Sequence, residues 1–199
     1  IRLAHDYLAG SGATIWDVGA TGGYDNGIVG IGRDDCSGLE QKQSKSANTD
    51  ALITIGNGNT IAATNAANSA TFTFDNSFML WGHNNGANAW QTSESPATRQ
   101  RLTREWRIGE TGTVGSVKIR VPDNSSALSS KLPAETSTVY LLVDADGDFS
   151  SGATEIPMTP NGTDWEVDYN LFDGEYFTFA TETCNPLITT NPVNVTLCA

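Results

Sequence analysis

Cationic side chains are scarce in this sequence. Eleven lysines and arginines face 23 aspartates and glutamates, which gives a formal net charge of -12 and a pI of about 4.3. A surface with this charge repels nucleic-acid phosphates and anionic lipid headgroups. The charge balance argues against nucleic acid and anionic membranes as partners, and it favours cation binding or solubility in a salty exterior.

Long apolar runs are also missing. No run approaches the ~20 residues that a membrane-spanning helix requires, so we predict no membrane span. There is no signal-peptide pattern, and the sequence starts at Ile1 rather than at a methionine. We therefore expect a processed chain or a fragment of a longer precursor.

Cysteine is limited to three positions. Cys36, Cys184 and Cys198 form no CxxC pair, so a zinc or dithiol site of that kind is not expected. Cys184 and Cys198 bracket a short C-terminal stretch, and we predict a disulfide that closes this loop. Cys36 is then left over, either for an intermolecular bond or as a buried thiol.

Enzyme signatures are equally sparse. The two histidines, His5 and His83, belong to no HExxH motif, and no GxSxG elbow is present. Asp34 and Asp35 could act as the paired carboxylates of a polysaccharide-cleaving enzyme. Such a pair more often ends a strand and caps a turn or meets a neighbour such as Arg33. We therefore expect no catalytic activity.

Short β-strand patterns fill most of the chain. In GSVKIRVP, residues 115–122, valine and isoleucine alternate with lysine and arginine, which is the period of a half-buried strand. Clusters of Gly, Asn and Asp separate such patterns at a spacing of roughly 8–12 residues, without a long helical pattern. The sequence predicts an all-β fold, an antiparallel β-sandwich of immunoglobulin-like or jelly-roll-like type with a C-terminal extension strand.

The domain boundaries follow from these patterns. We assign residues 1–182 to the β-sandwich domain and residues 183–199 to a C-terminal tail with an extra strand, PVNVTL. The apolar face of that strand must be buried on its own sheet or on a sheet edge of another subunit. The second arrangement propagates head to tail, so we predict a homo-oligomer or polymer formed through terminal strands. The N-terminal IRLAHDYLA is a second candidate connector.

The strongest chemical signal is the stretch VDADGDFSSGATE, which crowds three aspartates into a turn. Asp144, Asp146 and Asp148 occupy positions one, three and five of a calcium loop. Ser150 falls at position seven, where a backbone carbonyl binds, and Glu155 at position twelve, where a bidentate carboxylate closes the shell. We therefore predict a bound Ca²⁺.

Position six of this loop departs from the calcium pattern. Phe149 stands where a glycine is expected, although Gly147 lies close by. Strands rather than helices flank the loop, so the site would be an EF-like loop without the two helices. The alternative interpretation is a solvated acidic β-turn.

Aromatic and basic residues offer further candidates. Trp90, in the polar stretch NNGANAWQTSES, is the candidate exposed ligand platform, whereas the other four tryptophans lie in or beside strand patterns and are expected in the core. A local basic run spans residues 99–107. We expect its arginines to be solvated on strands or paired with the acidic loops.

Several segments carry a family resemblance across roughly residues 6–180. They are DYLAGSGATIWD, GIVGIGRDDCSGLEQKQSKS, ITIGNGNTIAATNAANSATF, DNSFMLWGHNNGA, REWRIGETGTVGSVKIRV and LLVDADGDFSSGATEIPM with DGEYFTFA. Together they resemble a β domain that recurs in large secreted surface proteins and adhesins, chiefly of gliding Bacteroidota and marine bacteria. The resemblance implies an extracellular or cell-surface location and structural or adhesive work. Cys36 and the cysteine-containing tail depart from the family pattern and hint at a cross-linked use.

These observations lead to one expectation and two alternatives. We expect a non-catalytic, calcium-stabilised structural module of a bacterial cell-surface or extracellular assembly, in its most specific form a self-assembling filament subunit. An adhesin domain that binds glycan or peptide is the alternative. A polysaccharide-active enzyme is the second alternative, and a groove lined by Trp90 and carboxylates would favour either of the two.

Overall fold

The chain folds as two β-sheets packed face to face in the computed structural model. The structure describes residues 5–122 and 138–182, and it confirms the predicted all-β sandwich, because that part of the chain contains strands and no helix. In particular, no helix of the described part could cross a membrane. The predicted tail strand, within residues 183–199, lies outside the described residues.

The described strands are short and are numbered here in chain order. They are β1 (Tyr7–Leu8), β2 (Thr14–Trp16), β3 (Asn26–Asp34), β4 (Leu39–Gln41), β5 (Gln43–Lys45), β6 (Thr54–Asn57), β7 (Ser77–His83), β8 (Trp90–Gln91), β9 (Arg99–Leu102), β10 (Trp106–Thr111), β11 (Val117–Pro122), β12 (Val139–Asp144), β13 (Thr154–Pro157), β14 (Thr159–Asn161), β15 (Asp164–Tyr169) and β16 (Tyr176–Glu182).

The strand order interleaves early and late parts of the chain. The larger sheet runs β13-β12-β16-β10-β7-β3-β4, with β9 paired to β16 and β8 paired to β9. The smaller sheet runs β14-β15-β11-β6-β5, and β1 and β2 form a separate hairpin. The last described strand, β16, lies between β12 and β10 and forms antiparallel pairs with both.

The main core lies between the two sheets. Strand β11 of the smaller sheet confirms its predicted alternation, since Val117, Ile119 and Val121 are fully buried. Lys118 and Arg120 lie on its other face and form ion pairs with carboxylates of β15. Burying a side chain such as Ile119 contributes about 1.5–3 kcal/mol, so this face supplies a large share of the packing energy.

Aromatic rings fill the facing side of the larger sheet. Trp106 stacks on Phe177 with ring centroids 5.6 Å apart, and it meets Phe179 edge-on at 5.7 Å. The core prediction for the tryptophans outside the polar stretch is confirmed, because each is buried or packs against buried residues: Trp16, Trp81, Trp106 and Trp165. Such ring pairs add ~0.5–1.5 kcal/mol beyond their buried area.

The outer face of the larger sheet is apolar as well. Phe78 and Leu80 point outward from β7, and Trp16 of β2 packs on them. The covering segment approaches the sheet so closely that a Cβ atom on Gly82 would lie 2.1 Å from the carbonyl oxygen of Tyr24. The N-terminal segment is therefore part of the packed structure, and β7 is buried on both faces.

An interruption in the larger sheet separates β9 from β10. Both strands pair with β16, but residues 103–105 leave the ladder between them. The buried Thr178 hydroxyl lies 2.7 Å from the freed carbonyl oxygen of Arg104 and 3.3 Å from that of Leu102, which also accepts from Arg101 Nη1. Its single proton serves the nearer oxygen, that of Arg104, an acceptor that a regular strand would have paired.

Replacing Thr178 by valine tests this role. The change keeps the shape and removes the donor, so we expect a loss of about 1–3 kcal/mol in the free energy of unfolding, measured by urea titration. Thr154→Val, on the exposed face of β13, is the matched control and is expected to change stability little. Equal midpoints for the two variants would contradict the assignment.

Candidate metal centre

The acidic loop, residues 144–153, joins two paired strands at an edge of the larger sheet. Val143 of β12 faces Thr154 of β13, and Leu142 faces Glu155. Asp144 is the last residue of β12 and is 7% exposed. The loop is therefore a β-hairpin connection whose first aspartate belongs to the folded sheet.

Successive turns held by aspartate side chains shape this loop. The Asp144 Oδ1 atom accepts the backbone N–H groups of Asp146 and Gly147, both at 2.8 Å. Asp146 Oδ1 accepts the N–H of Asp148 at 2.9 Å. Asp148 Oδ1 accepts the N–H and the hydroxyl of Ser150, at 3.0 and 2.6 Å. These short-range bonds are the ones by which aspartate favours turns, and they explain how like charges tolerate the same loop.

Each of these three carboxylates keeps one oxygen free. Within the described residues, the Oδ2 atoms of Asp144, Asp146 and Asp148 accept no hydrogen bond. The hydroxyl and N–H of Ser150 lower the pKa of Asp148, so this carboxyl is ionised at neutral pH. Free anionic oxygens are the kind of ligand that Ca²⁺ prefers.

Two glycines allow the chain to close this loop. Gly147 has a φ of +88°, which places the sharp turn two residues before the position expected from the calcium pattern. The Cβ position of Gly152 lies 3.9 Å from Asp144 Oδ2. The free oxygen of the buried aspartate thus faces the opposite side of the loop.

Phe149 anchors the acidic loop to the outer face of the larger sheet. Its side chain is fully buried and packs with Leu142 of β12 and Ala180 of β16. This contact explains why a phenylalanine stands at position six. The sequence pattern marked the residue as a departure but gave no signal that it is a packing group.

A buried guanidinium lies next to this anchor. Arg101 of β9 is fully buried, and its carbon Cζ is 5.2 Å from the centroid of the Phe149 ring. It forms ion pairs with Glu94 and Glu105, each at 2.7 Å. The Tyr24 hydroxyl donates to Glu105 at 2.7 Å, and burial together with this bond raises the pKa of Tyr24.

The arginines of the basic run agree with the second of their two expected settings, pairing with carboxylates, but two of them are also buried. Arg101 and Arg104 are buried rather than solvated. Pairing with carboxylates holds for both, since Arg104 contacts Asp50 at 2.7 Å. Arg99 meets the predicted metal ligand Glu155 at 2.9 Å.

Glu155 contacts Arg99 rather than any of the three aspartates. It belongs to β13, and its partner Arg99 holds its guanidinium 3.9 Å from the centroid of the Tyr140 ring. In residues 5–122 and 138–182, no three His, Cys, Asp or Glu side chains come close enough to form a metal site. The five-residue calcium set, with its Ser150 carbonyl, stays a prediction, and Glu155 would have to leave Arg99 to join it.

The other predicted site residues lie away from this loop. Trp90 is half-buried rather than exposed, packs against the main core and buries its indole nitrogen, so its role as a platform stays a prediction. Cys36 is exposed, which contradicts the buried-thiol interpretation. Cys184 and Cys198 lie outside the described residues, and their disulfide stays a prediction.

The adjacent aspartates at the end of β3 have structural partners. Asp34 is buried and accepts the N–H groups of Gly10 at 2.7 Å and Cys36 at 3.0 Å. The Gly10 bond lowers the pKa of Asp34 most. Asp35 pairs with Arg33 at 2.7 Å. These are the turn-capping and pairing contacts of the non-catalytic interpretation.

His83 is a buried titratable group at the end of β7. Burial, with a smaller effect of the Arg104 charge, lowers the pKa of His83 from 6.5 to about 4. Its Nδ1 atom accepts the backbone N–H of Asn85 at 3.0 Å. The imidazole is therefore neutral at pH 7, with its proton on Nε2.

An all-β sandwich with this acidic hairpin is the class of protein that the geometry defines. The chain belongs to the family described as a domain of unknown function, DUF8202, whose model matches residues 1–175. The matched region contains the acidic loop. No curated protein and no solved structure gives a significant match.

Truncating the loop anchor tests its contribution. We expect Phe149→Ala to lower the free energy of unfolding by about 3 kcal/mol, because a fully buried ring is lost from the outer-face cluster. Phe172→Ala is the matched control, since that ring is 54% exposed. Thermal unfolding of the two variants provides the measurement, and similar losses in both would show that Phe149 does not anchor the loop.

The pH dependence of stability tests the state of His83. Between pH 6.5 and about 4 the unfolded chain holds a proton on this side chain that the folded chain lacks, so stability falls as the pH decreases through this window. Between about pH 7 and about pH 5 the loss is on the order of 2 kcal/mol. We expect His83→Asn, which keeps an acceptor for Asn85, to reduce the change in unfolding free energy between about pH 7 and about pH 5. An unchanged difference would contradict the neutral state.

Proposed function

We propose that the chain is a non-catalytic structural module of a bacterial cell-surface or extracellular assembly, stabilised by Ca²⁺ in the acidic loop. The observation that carries the proposal is the set of free Oδ2 atoms on Asp144, Asp146 and Asp148, in a loop that is anchored through Phe149. A cation would neutralise three carboxylates that have no lysine or arginine within the loop.

The anchor would connect ion binding to the stability of the sandwich. Phe149 packs on strands β12 and β16, which lie inside the larger sheet rather than at its periphery. Ordering the loop around an ion would hold this ring in place. A ligand that binds only the folded state stabilises it by RT ln(1 + [L]/Kd), so the effect would appear as global stability.

The surface location rests on charge and on the resemblance. The net charge of -12 suits an exterior in which salt and divalent ions screen carboxylates. The quoted segments resemble domains of secreted surface proteins and adhesins. The exposed Cys36 is available for a cross-link between chains.

Assembly through terminal strands has a candidate acceptor on the larger sheet. Strand β4 ends the sheet, and an open cavity of ≈ 200 Å³ lies beside it, lined by apolar side chains that include Tyr7, Leu39 and Phe78. Leu39 is 42% exposed. An alternating strand such as PVNVTL from another copy would extend the sheet here and place its valines in the cavity.

Calcium binding is tested by thermal unfolding with and without a chelator. At a hundredfold excess of Ca²⁺ over Kd we expect about 2.7 kcal/mol of stabilisation. Asp146→Asn should remove this response, because it deletes one anionic ligand. Glu40→Gln, remote in sequence and on an exposed side chain of β4, is the control and should retain it. If a chelator leaves the melting temperature of the unmodified protein unchanged, the result contradicts calcium binding.

Assembly is tested by sedimentation at high protein concentration with calcium. We expect the intact chain to form oligomers or filaments, and deletion of residues 186–199 to leave monomers. Leu39→Lys places a charge at the proposed acceptor and should also prevent assembly, whereas Phe172→Lys, on another exposed ring, should not. If the truncated chain assembles as the intact one does, the tail is not the connector.

A further inference from the structure

A polar cavity lies near the end of β7, apart from the acidic loop. Its volume is ≈ 390 Å³, within the range of roughly 300–1,000 Å³ that small-molecule sites occupy. It opens between the segment after β5 and the turn after β7. The side chains that bear on its chemistry are polar, and they are Asn26, Asn48, Thr49, Asp50, His83 and Asn85.

A buried arginine holds the two walls of this cavity together. Arg104 donates from Nη2 to Asp50 Oδ2 at 2.7 Å and from Nη1 to the Asp50 carbonyl at 3.1 Å. Its Nε atom donates to the carbonyl of Gly86 at 2.8 Å, in the turn after β7. The Asn85 N–H fixes the ring of His83. The cavity is therefore braced by side chains with defined partners.

Several polar groups of the cavity have no partner within the described residues. The His83 Nε2–H group donates no hydrogen bond there, and the Asp50 carboxylate, whose side chain is 51% exposed, keeps acceptor capacity beyond its bond from Arg104. The side-chain amides of Asn48 and Asn85 are also free in that part of the chain. Hydrogen-bond donors and acceptors thus both line the cavity.

The charge of the cavity excludes most ionic ligands. Arg104 neutralises Asp50, and His83 carries no charge at pH 7 because burial lowers its pKa to about 4. A metal ion would meet the guanidinium, and an anion would meet the carboxylate. An uncharged molecule with many hydroxyl groups can donate to Asp50 and accept from His83 at the same time.

We propose that this cavity binds an uncharged pyranose residue of a glycan through His83, Asp50, Asn48 and Asn85. Sugar hydroxyls are both donors and acceptors, as the mixed lining requires. The site shares no residue with the acidic loop. It is independent of the proposed calcium binding and gives the structural module a ligand.

Imidazole signals in NMR spectra provide the direct test. The chain has two histidines, so His83 can be followed beside His5. The probes are the methyl glycosides of glucose, galactose, mannose and N-acetylglucosamine, each titrated separately. We expect at least one of them to shift the His83 signals in a saturable manner and to leave those of His5 unchanged.

A pair of asparagine variants locates the binding. Asn85 has a φ of +61° and Asn76 a φ of +52°, so glycine suits both positions. Asn85→Gly keeps the N–H bond to His83 but removes the amide, and we expect about tenfold weaker binding. Asn76→Gly makes the same change outside the cavity and should bind as the unmodified protein does. Asn48→Ala, on the other wall, is expected to weaken binding as Asn85→Gly does.

Three results would overturn the proposal. The first is the absence of a His83 shift with all four glycosides. The second is unchanged affinity in both Asn85→Gly and Asn48→Ala, which would place the sugar elsewhere. The third is a His83 shift with calcium chloride and not with the glycosides, which would identify a cation site instead.

Discussion

The larger sheet is apolar on both faces, and much of the remaining structure follows from this constraint. One face packs on the smaller sheet, as in any sandwich. The other face, with Phe78 and Leu80 at one side and Leu142 at the other, must also be removed from water. The segment around Trp16 covers the first part and Phe149 covers the second. The acidic loop is thus held in place by packing, whatever its charges bind.

The packing on that outer face also explains why buried arginines are paired with carboxylates. Arg101 is buried beside Phe149, and an unpaired guanidinium there would cost several kcal/mol. Glu94 and Glu105 compensate it, and Arg104 is paired in the same way with Asp50. Cationic side chains are scarce in the chain, and two of them, Arg101 and Arg104, lie in the interior. Each of these buried guanidinium groups therefore depends on its carboxylate partners.

The alternation of β11 made the half-buried strand and the sandwich predictable from sequence, because a strand with one buried face repeats every two residues. The aspartate spacing likewise identified the acidic loop. The packing role of Phe149 could not be predicted from the sequence, because a single apolar residue in a turn forms no periodic pattern. The arginines were expected either in solvent or paired with acidic loops, and their burial was not predicted, since two covered faces leave no polar side to recognise. The His83 cavity depends on Arg104 reaching Asp50, a contact between residues 54 positions apart.

The position of β16 has a consequence for how the chain reaches this fold. Its residues 176–182 pair with β12, β10 and β9, so the centre of the larger sheet cannot close before this late segment is available. Contacts of such long sequence separation slow folding and delay the cooperative step. A chain that emerges from its N-terminus can therefore complete the centre of this sheet only after β16 has appeared.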